Sequence, residues 1–466
     1  MSDIFNIMEI GSEGFEALQK RLASRSEFDD ISLGGKPGEL AQAARDSDDS
    51  EFSRFGLKFY DGLPHTAGAT VERIIDFVEE MGDEAVRQLT RLFDGTELSS
   101  NRIKVNKLDL MKAADEVDEE VLGLCRDQII PRIRAYHEKQ KQESWQIDEL
   151  GGSVGMRIQP LDRVALYVPG GTALYPSTLM MTAIPAQVAG VNEIAVFTPP
   201  NSFEKSPLLA ALLLELGIEE VYRVGGAQAI AAAAFGTEII PKVDRIVGPG
   251  NIFVSIAKQI LSHKVGIDRF AGPSEIVIVF DESADPALVA ADMLAQTEHD
   301  ADASAIGITS SEEHAGKVRD EFLKQLEDLP RKEIIERSIQ RFGGILTVPS
   351  IGFALRLANS FAPEHCEVIT ESSEEHALQI RNAGAIFIGA YAPEAFGDYN
   401  AGANHVLPTC GQARWEGPLS LADFTKQVSI IRGSKELLEA NKEAAIILAR
   451  AENLEAHARS IEKRFN

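Results

Sequence analysis

From about residue 161 the chain adopts a rhythm that restricts its fold more than any other feature. Short strand-like runs alternate with helix-like ones: "RVALYV", "STLMMTAIPAQVAG", "EIAVFT", "PLLAALLLELG" and "VYRVGG". After "AGPSE" the alternation resumes with "SEIVIVFD", an apolar helix, "SAIGITS", "GILTV", "CEVIT" and "AIFIGAY". Apolar strands separated by helices predict parallel sheets covered on both sides. Two such passes predict two α/β units sharing a cleft.

At 466 residues the chain exceeds what a single core supports, so smaller appendages are expected around these units. Residues 1–59 read as a helical appendage, "SEGFEALQKRLASR", with an acidic linker ending "ARDSDDSEF". The expected boundaries are then 60–171 with 274–419 as one discontinuous α/β unit, 172–273 as the second, and 420–466 as a helical tail. Within the first of these, "ATVERIIDFVEEMGDEAVRQLTRLFDG" has helical periodicity with a Gly interruption and a Gly stop, and 108–143 continues as helix.

A net charge of −26 argues against nucleic acid, whose phosphates need basic neutralisation. No apolar run is long enough to span a bilayer, and the N-terminus lacks the basic-then-apolar order of a secretory signal. Cys125, Cys366 and Cys410 lie far apart without a CxxC, which predicts reduced thiols in a cytoplasmic protein and no zinc site built on thiolates.

Four segments carry residues able to do chemistry. In "DPALVAADMLAQTEH", Asp285 is placed to cap a helix and Pro286 to occupy its first turn. Gln296 and His299 then share one face near the C-terminal end, whose partial negative charge favours a cation. "ANSFAPEHCEVIT" sets Glu364 beside His365, a pairing suited to proton transfer, although a Pro-Glu-His turn in solvent has the same pattern. "FGDYNAGANHVLPT" puts Asp398 in a Gly-flanked loop, with His405 free either to cap or to pack. "AENLEAHA" places Glu452 and His457 on a C-terminal helix. Gln296, His299, Asp398 and His457 make a borderline N/O donor set suited to Zn²⁺, with Mn²⁺ or Co²⁺ as alternatives. They lie on three separate segments, and spacing alone does not join them. The glycines of "PGGTALYPS", "GGAQAIAAAAFG" and "GPGNIF" form no complete GxGxxG; Gln228 and Asn251 could reach a ribose or phosphate there, while simple turns would also explain the glycines.

Taken in order, "LYVPGGTALYPSTLMMTAIPAQVAGV", "GGAQAIAAAAFGTE", "VDRIVGPGN", "AGPSE", "QTEH", "APEH" and "GDYNAGANHVLPT" resemble the histidinol dehydrogenase family from about residue 55 onward. The resemblance implies two Rossmann-like units with an atypical nucleotide site, similar to aldehyde dehydrogenases. It also implies oxidation of L-histidinol to L-histidine in two NAD⁺-dependent steps through an aldehyde, at the end of histidine biosynthesis. The matching zinc positions are Gln296, His299, Asp398 and His457. His365 would be the base and Glu364 would activate water; substrate would be held by Ser274, Gln296, His299, Glu364, His365, Asp398, Glu452 and His457. NAD⁺ contacts map to Tyr167, Gln228 and Asn251. The family's homodimer implies that Glu452 and His457 act across an interface. Cys366, after the Glu-His pair, and the Cys410–Trp415 loop depart from the usual pattern, and the acidic N-terminal segment is assigned no chemistry. A paralogous dehydrogenase of another small alcohol, a zinc-binding scaffold without turnover and a metal-dependent hydrolase using Glu364 stand as rival readings.

Overall fold

The computed structural model describes residues 4–25, 42, 54, 58, 66–170, 175–270 and 272–465. The expected acidic linker, and the glycine turn at 171–174, lie outside these residues. Strands β1 (Ile7–Glu9), β2 (Trp145–Glu149) and β3 (Gly152–Pro160) come first in the chain. They are followed by β4 (Arg163–Tyr167), β5 (Glu193–Phe197), β6 (Glu220–Tyr222), β7 (Arg245–Val247) and β8 (Gly266–Ile267). Then come β9 (Glu275–Phe280), β10 (Ser304–Thr309), β11 (Gly344–Thr347), β12 (His365–Ile369), β13 (Ala385–Ile388) and β14 (Thr425–Arg432).

Two all-parallel sheets result, as the alternation predicts. One has the order β6-β5-β4-β7-β8 and the other β1-β11-β10-β9-β12-β13. In the first, Ala165 and Tyr167 of β4 face one apolar layer while Val164 and Leu166 face the other. In the second, Ile276 and Ile278 of β9 face one layer and Val277 and Val279 the opposite one. Burial on both faces explains why these strands read as unbroken apolar runs rather than alternating ones.

Strand pairing divides the elements otherwise than expected. β4, placed with the 60–171 segment, is the central strand of the five-stranded sheet. The helices Ala67–Met81 and Asp83–Asp94 join that same unit, packing on its helices Gly226–Phe235 and Ile252–Leu261 and sharing their apolar core. They bring no strand of their own, so their apolar stripes bury against the unit that follows them in the chain.

The N-terminal segment is also more than an appendage. β1 pairs in parallel with β11 at the edge of the six-stranded sheet. The helix Glu13–Ser24, capped by Ser12, buries Phe15 and Leu18 beneath it. Each such fully buried apolar side chain contributes about 1.5–3 kcal/mol.

A third, antiparallel sheet, β14-β3-β2, has no counterpart in the sequence reading. It corrects the view of 420–466 as purely helical, because β14 pairs along its whole length with β3. The helices Lys435–Ala451 and Glu455–Glu462 then pack mainly on each other, and the first buries none of its residues.

Candidate active site

The helix Pro286–Thr297 is built as its sequence predicts, with the Asp285 carboxylate accepting the Ala287 N–H. Its last turn buries Gln296 completely, and His299 follows just beyond the end. Glu364 and His365 are not in a solvent turn. They sit at the amino end of β12 and are 7% and 4% exposed. Ala362, just before them, takes a left-handed φ of 50°, a strained conformation for a residue with a Cβ that commonly marks functional segments.

His365 Nδ1 lies 3.2 Å from the Glu275 carbonyl and 3.1 Å from Gln296 Oε1. Both partners are acceptors, so Nδ1 carries the proton and donates. Nε2 is then a bare lone pair, buried with no hydrogen-bond partner among the described residues. Burial holds the imidazole neutral, with its pKa lowered to about 4. Glu364 Oε2 accepts the Glu275 N–H at 2.9 Å, and burial pushes its carboxyl well above the ordinary range. Backbone groups of Glu275 thus hold both members of the pair.

Donor atoms of His299, Glu394 and Asp398 lie within 4.8 Å of one another. His299 Nε2 is 4.0 Å from Asp398 Oδ2, and His365 Nε2 is 4.0 Å from Glu394 Oε1. Burial, and next the charge of Asp398, raise the Glu394 carboxyl well above its usual pKa, so this cluster is stabilised by a cation. Gln296 Oε1 keeps a second lone pair after accepting from His365. One imidazole, two carboxylates and an amide oxygen therefore fit Zn²⁺ by donor chemistry.

Asp398 is in the short helix Glu394–Tyr399 and not in a loop, which corrects the sequence reading. Gly397 allows that helix to meet β13, since a Cβ there would stand 2.6 Å from the Phe387 ring. Glu394 escaped sequence analysis for the same reason: its four-residue offset from Asp398 points to a shared face only once the segment is helical. His405 packs, placing Nδ1 3.0 Å from the Asp398 carbonyl to anchor this turn. Cys366 is a core residue of β12, its thiol pushed up to about 12 by burial.

Tyr167, Gln228 and Asn251 cluster by element at the carboxyl ends of β4, β6 and β7. The chain reverses direction between β4 and β7, the kind of switch point where open parallel sheets bind ligands. Tyr167 Oη accepts the Gly226 N–H at 3.0 Å, Gln228 is buried, and Asn251 caps the helix Ile252–Leu261. Asn404, on the segment after Asp398, donates to the Met181 carbonyl on the helix after β4 at 2.6 Å, which ties the two parts of the chain together. Glu364 and His365 stand instead at the amino ends of β9 and β12. Ser274 immediately precedes β9. Glu452 and His457 are not brought to this site within one chain; both side chains are exposed on the tail.

A neutral buried imidazole, a carboxyl of raised pKa and a donor set that would suit a cation, on an α/β fold of parallel sheets, are the groups an enzyme of acid–base chemistry needs. Residues 64–465 match the family described as histidinol dehydrogenase. The histidinol dehydrogenase of Caldanaerobacter subterraneus subsp. tengcongensis is 48% identical over 395 residues, covering 85% of this chain and 92% of that protein. That of Bacillus subtilis (strain 168) is 48% identical over 397 residues, with the same coverage. The crystal structure of histidinol dehydrogenase from Elizabethkingia anophelis superposes with a TM-score of 0.83 at 29% identity, covering 99% of this chain and 98% of that one. The chain belongs to the histidinol dehydrogenase family and is a dehydrogenase. Among the described residues, no helix is long and apolar enough to cross a membrane.

Proposed function

We propose that this enzyme oxidises L-histidinol to L-histidine through L-histidinal, using NAD⁺ in both steps, in the cytoplasm. One observation carries the reading: His365 is buried and neutral, its Nδ1–H engaged and its Nε2 unpaired, next to the donors of Gln296, His299, Glu394 and Asp398. Gln296, His299 and Asp398 would hold zinc, completed by His457 of the partner subunit. Zinc would supply a fixed anchor for the imidazole and amine of the substrate. NAD⁺ would supply the hydride acceptor, on the side lined by Tyr167, Gln228 and Asn251.

The protein's own groups then divide the proton work. His365 Nε2 takes the hydroxyl proton of the alcohol, and later that of the hydrated aldehyde. Glu364 takes a proton from the water that adds to the carbonyl; its raised pKa makes it a stronger base than a solvated carboxylate. Ser274, and Glu452 of the partner subunit, hold polar ends of the substrate. A homodimer with exchanged tails is supported by the tail itself, where Ile447 and Leu448 are 61% and 60% exposed on a helix that buries nothing in its own chain.

The test is NADH formation by zinc-loaded protein offered L-histidinol against a panel of other small alcohols. Activity on L-histidinol that chelation removes and zinc restores is expected. Turnover of another alcohol in its place would transfer the reading to a paralogous dehydrogenase.

A further inference from the structure

The N-terminal strand and helix end at a residue that reaches the catalytic centre. Arg25 follows the helix Glu13–Ser24, and its guanidinium is almost completely buried. Nη1 donates to Glu275 Oε2 at 2.9 Å. Nη2 donates to the carbonyls of Pro273 and Ser274 at 2.9 and 3.1 Å. The other carboxylate oxygen of Glu275 accepts the Cys410 N–H at 3.0 Å, from a Cys410 whose left-handed φ is 53°. The Glu275 side chain is thus gripped from two distant parts of the chain. Its backbone, in turn, donates to Glu364 and accepts from His365.

We propose that Arg25 is a positioning residue for the acid–base pair, acting through Ser274 and Glu275, and that the N-terminal unit is a working part of the active site. Arg25 touches none of the reacting atoms. It fixes the start of β9, where the Glu275 N–H holds Glu364 and the Glu275 C=O, with Gln296, holds His365. Its charge also neutralises a buried carboxylate beside Glu364; Glu275 left unpaired would disfavour the ionised form of Glu364 that water activation needs. Arg25 lies outside the matched residues 64–465, so family membership assigns it nothing. The inference rests on the roles given above to Glu364 and His365.

A cavity of about 270 Å³ lined by Arg25, Glu275, Ser304 and Cys410 borders this cluster, and it is where an added guanidinium ion should enter once the arginine side chain is truncated. The experiment compares wild type, Arg25→Ala, Arg25→Lys and the double variant Arg25→Met/Glu275→Gln, the last removing the buried charge that could unfold a single variant. Zinc content and melting temperature are checked first. Arg25→Ala is expected to slow oxidation of L-histidinal at least ten-fold and to slow the alcohol step less. NADH formed per histidinol consumed should therefore fall from two toward one, with the KM for histidinol changing little. Arg25→Lys should recover part of the aldehyde step, and added guanidinium should recover part of it in Arg25→Ala. The double variant, which has no unpaired carboxylate at 275, should fold and keep the part of the aldehyde-step defect that comes from lost positioning. Wild-type rates in a folded Arg25→Ala or in the double variant, or equal loss of both steps with no rescue, would overturn the inference. A wild-type enzyme that forms no NADH from histidinol would instead overturn the functional reading beneath it.

Discussion

His365 condenses the chemistry of the site into one side chain. Its Nδ1–H is shared between Glu275 and Gln296, which fixes the tautomer and leaves Nε2 as the basic atom. His365→Ala should lower NADH formation by roughly 10²–10⁴-fold, the range typical of a lost general base, while bound zinc stays near one per subunit. Loss of zinc in that variant would make His365 a structural element of the metal site. Glu364 adds a pH signature. Because burial raises its pKa, the basic carboxylate is depleted at low pH and forms as pH rises. Oxidation of histidinal should accelerate as pH rises through that raised pKa, and Glu364→Gln should both slow it and flatten that rise. Most of this scale was legible in the chain: the spacing of Gln296 and His299 and the adjacency of Glu364 and His365 pointed to proton transfer and cation binding. Neither tautomer nor burial was readable, because both depend on Glu275, a residue far from His365 in the chain that sequence alone does not bring to it.

At the scale of elements, the parallel strands were readable because burial on both faces leaves continuous apolar runs, as in β9 and β12. The antiparallel β3 and β14 were not: β3 mixes Gly155, Arg157 and Gln159 with apolar residues, and five of the eight residues of β14 are charged or polar, so neither carries a long apolar run. The Glu394–Tyr399 helix was missed because Gly397 and a Gly-rich continuation imitate a loop. The loop after β7 makes a sharper prediction. Gly248 has φ +118°, and a Cβ there would stand 2.3 Å from the Tyr167 carbonyl. The buried Lys258 amine donates to its carbonyl and Asp268 accepts its N–H, so the loop cannot relax cheaply. Gly248→Ala should destabilise the protein by about 1–3 kcal/mol, the usual scale of local backbone strain, and weaken NAD⁺ binding in calorimetry with zinc content unchanged. Unaltered NAD⁺ affinity would detach the β7 loop from the nucleotide site.

The molecule as a whole holds the proposed acid–base pair at the amino edge of one sheet and the nucleotide candidates at the carboxyl edge of another. Two parallel sheets are present, as the alternation predicts, but the elements divide between them otherwise than the expected boundaries, because the early helices pack with the unit of β4 and β1 reaches across the chain to β11; such long-range pairings leave no local trace. Two properties belong to this scale. If tails complete opposite sites, mixing His365→Ala with His457→Ala subunits should restore part of the activity that each homodimer lacks. No recovery in proven heterodimers would assign each tail to its own chain. The buried carboxyls of Glu364, Glu367 and Glu394 have folded-state pKa values raised by burial, so folding favours their protonated forms. Their unfavourable contribution is absent below the ordinary carboxyl pKa, grows as pH rises from there toward the raised values, and is complete above them. Across that rise chelated protein should lose melting temperature more steeply than zinc-loaded protein, whose metal would offset the accumulating charge. Parallel curves would place the zinc away from this cluster.

The most direct measurement is the amount of NADH formed per L-histidinol consumed by purified, zinc-loaded enzyme, with the product identified. Two NADH with histidine as product are expected from one site in which His365 serves both oxidations and Glu364 activates water between them. One NADH with histidinal released, or none, would contradict that division of labour.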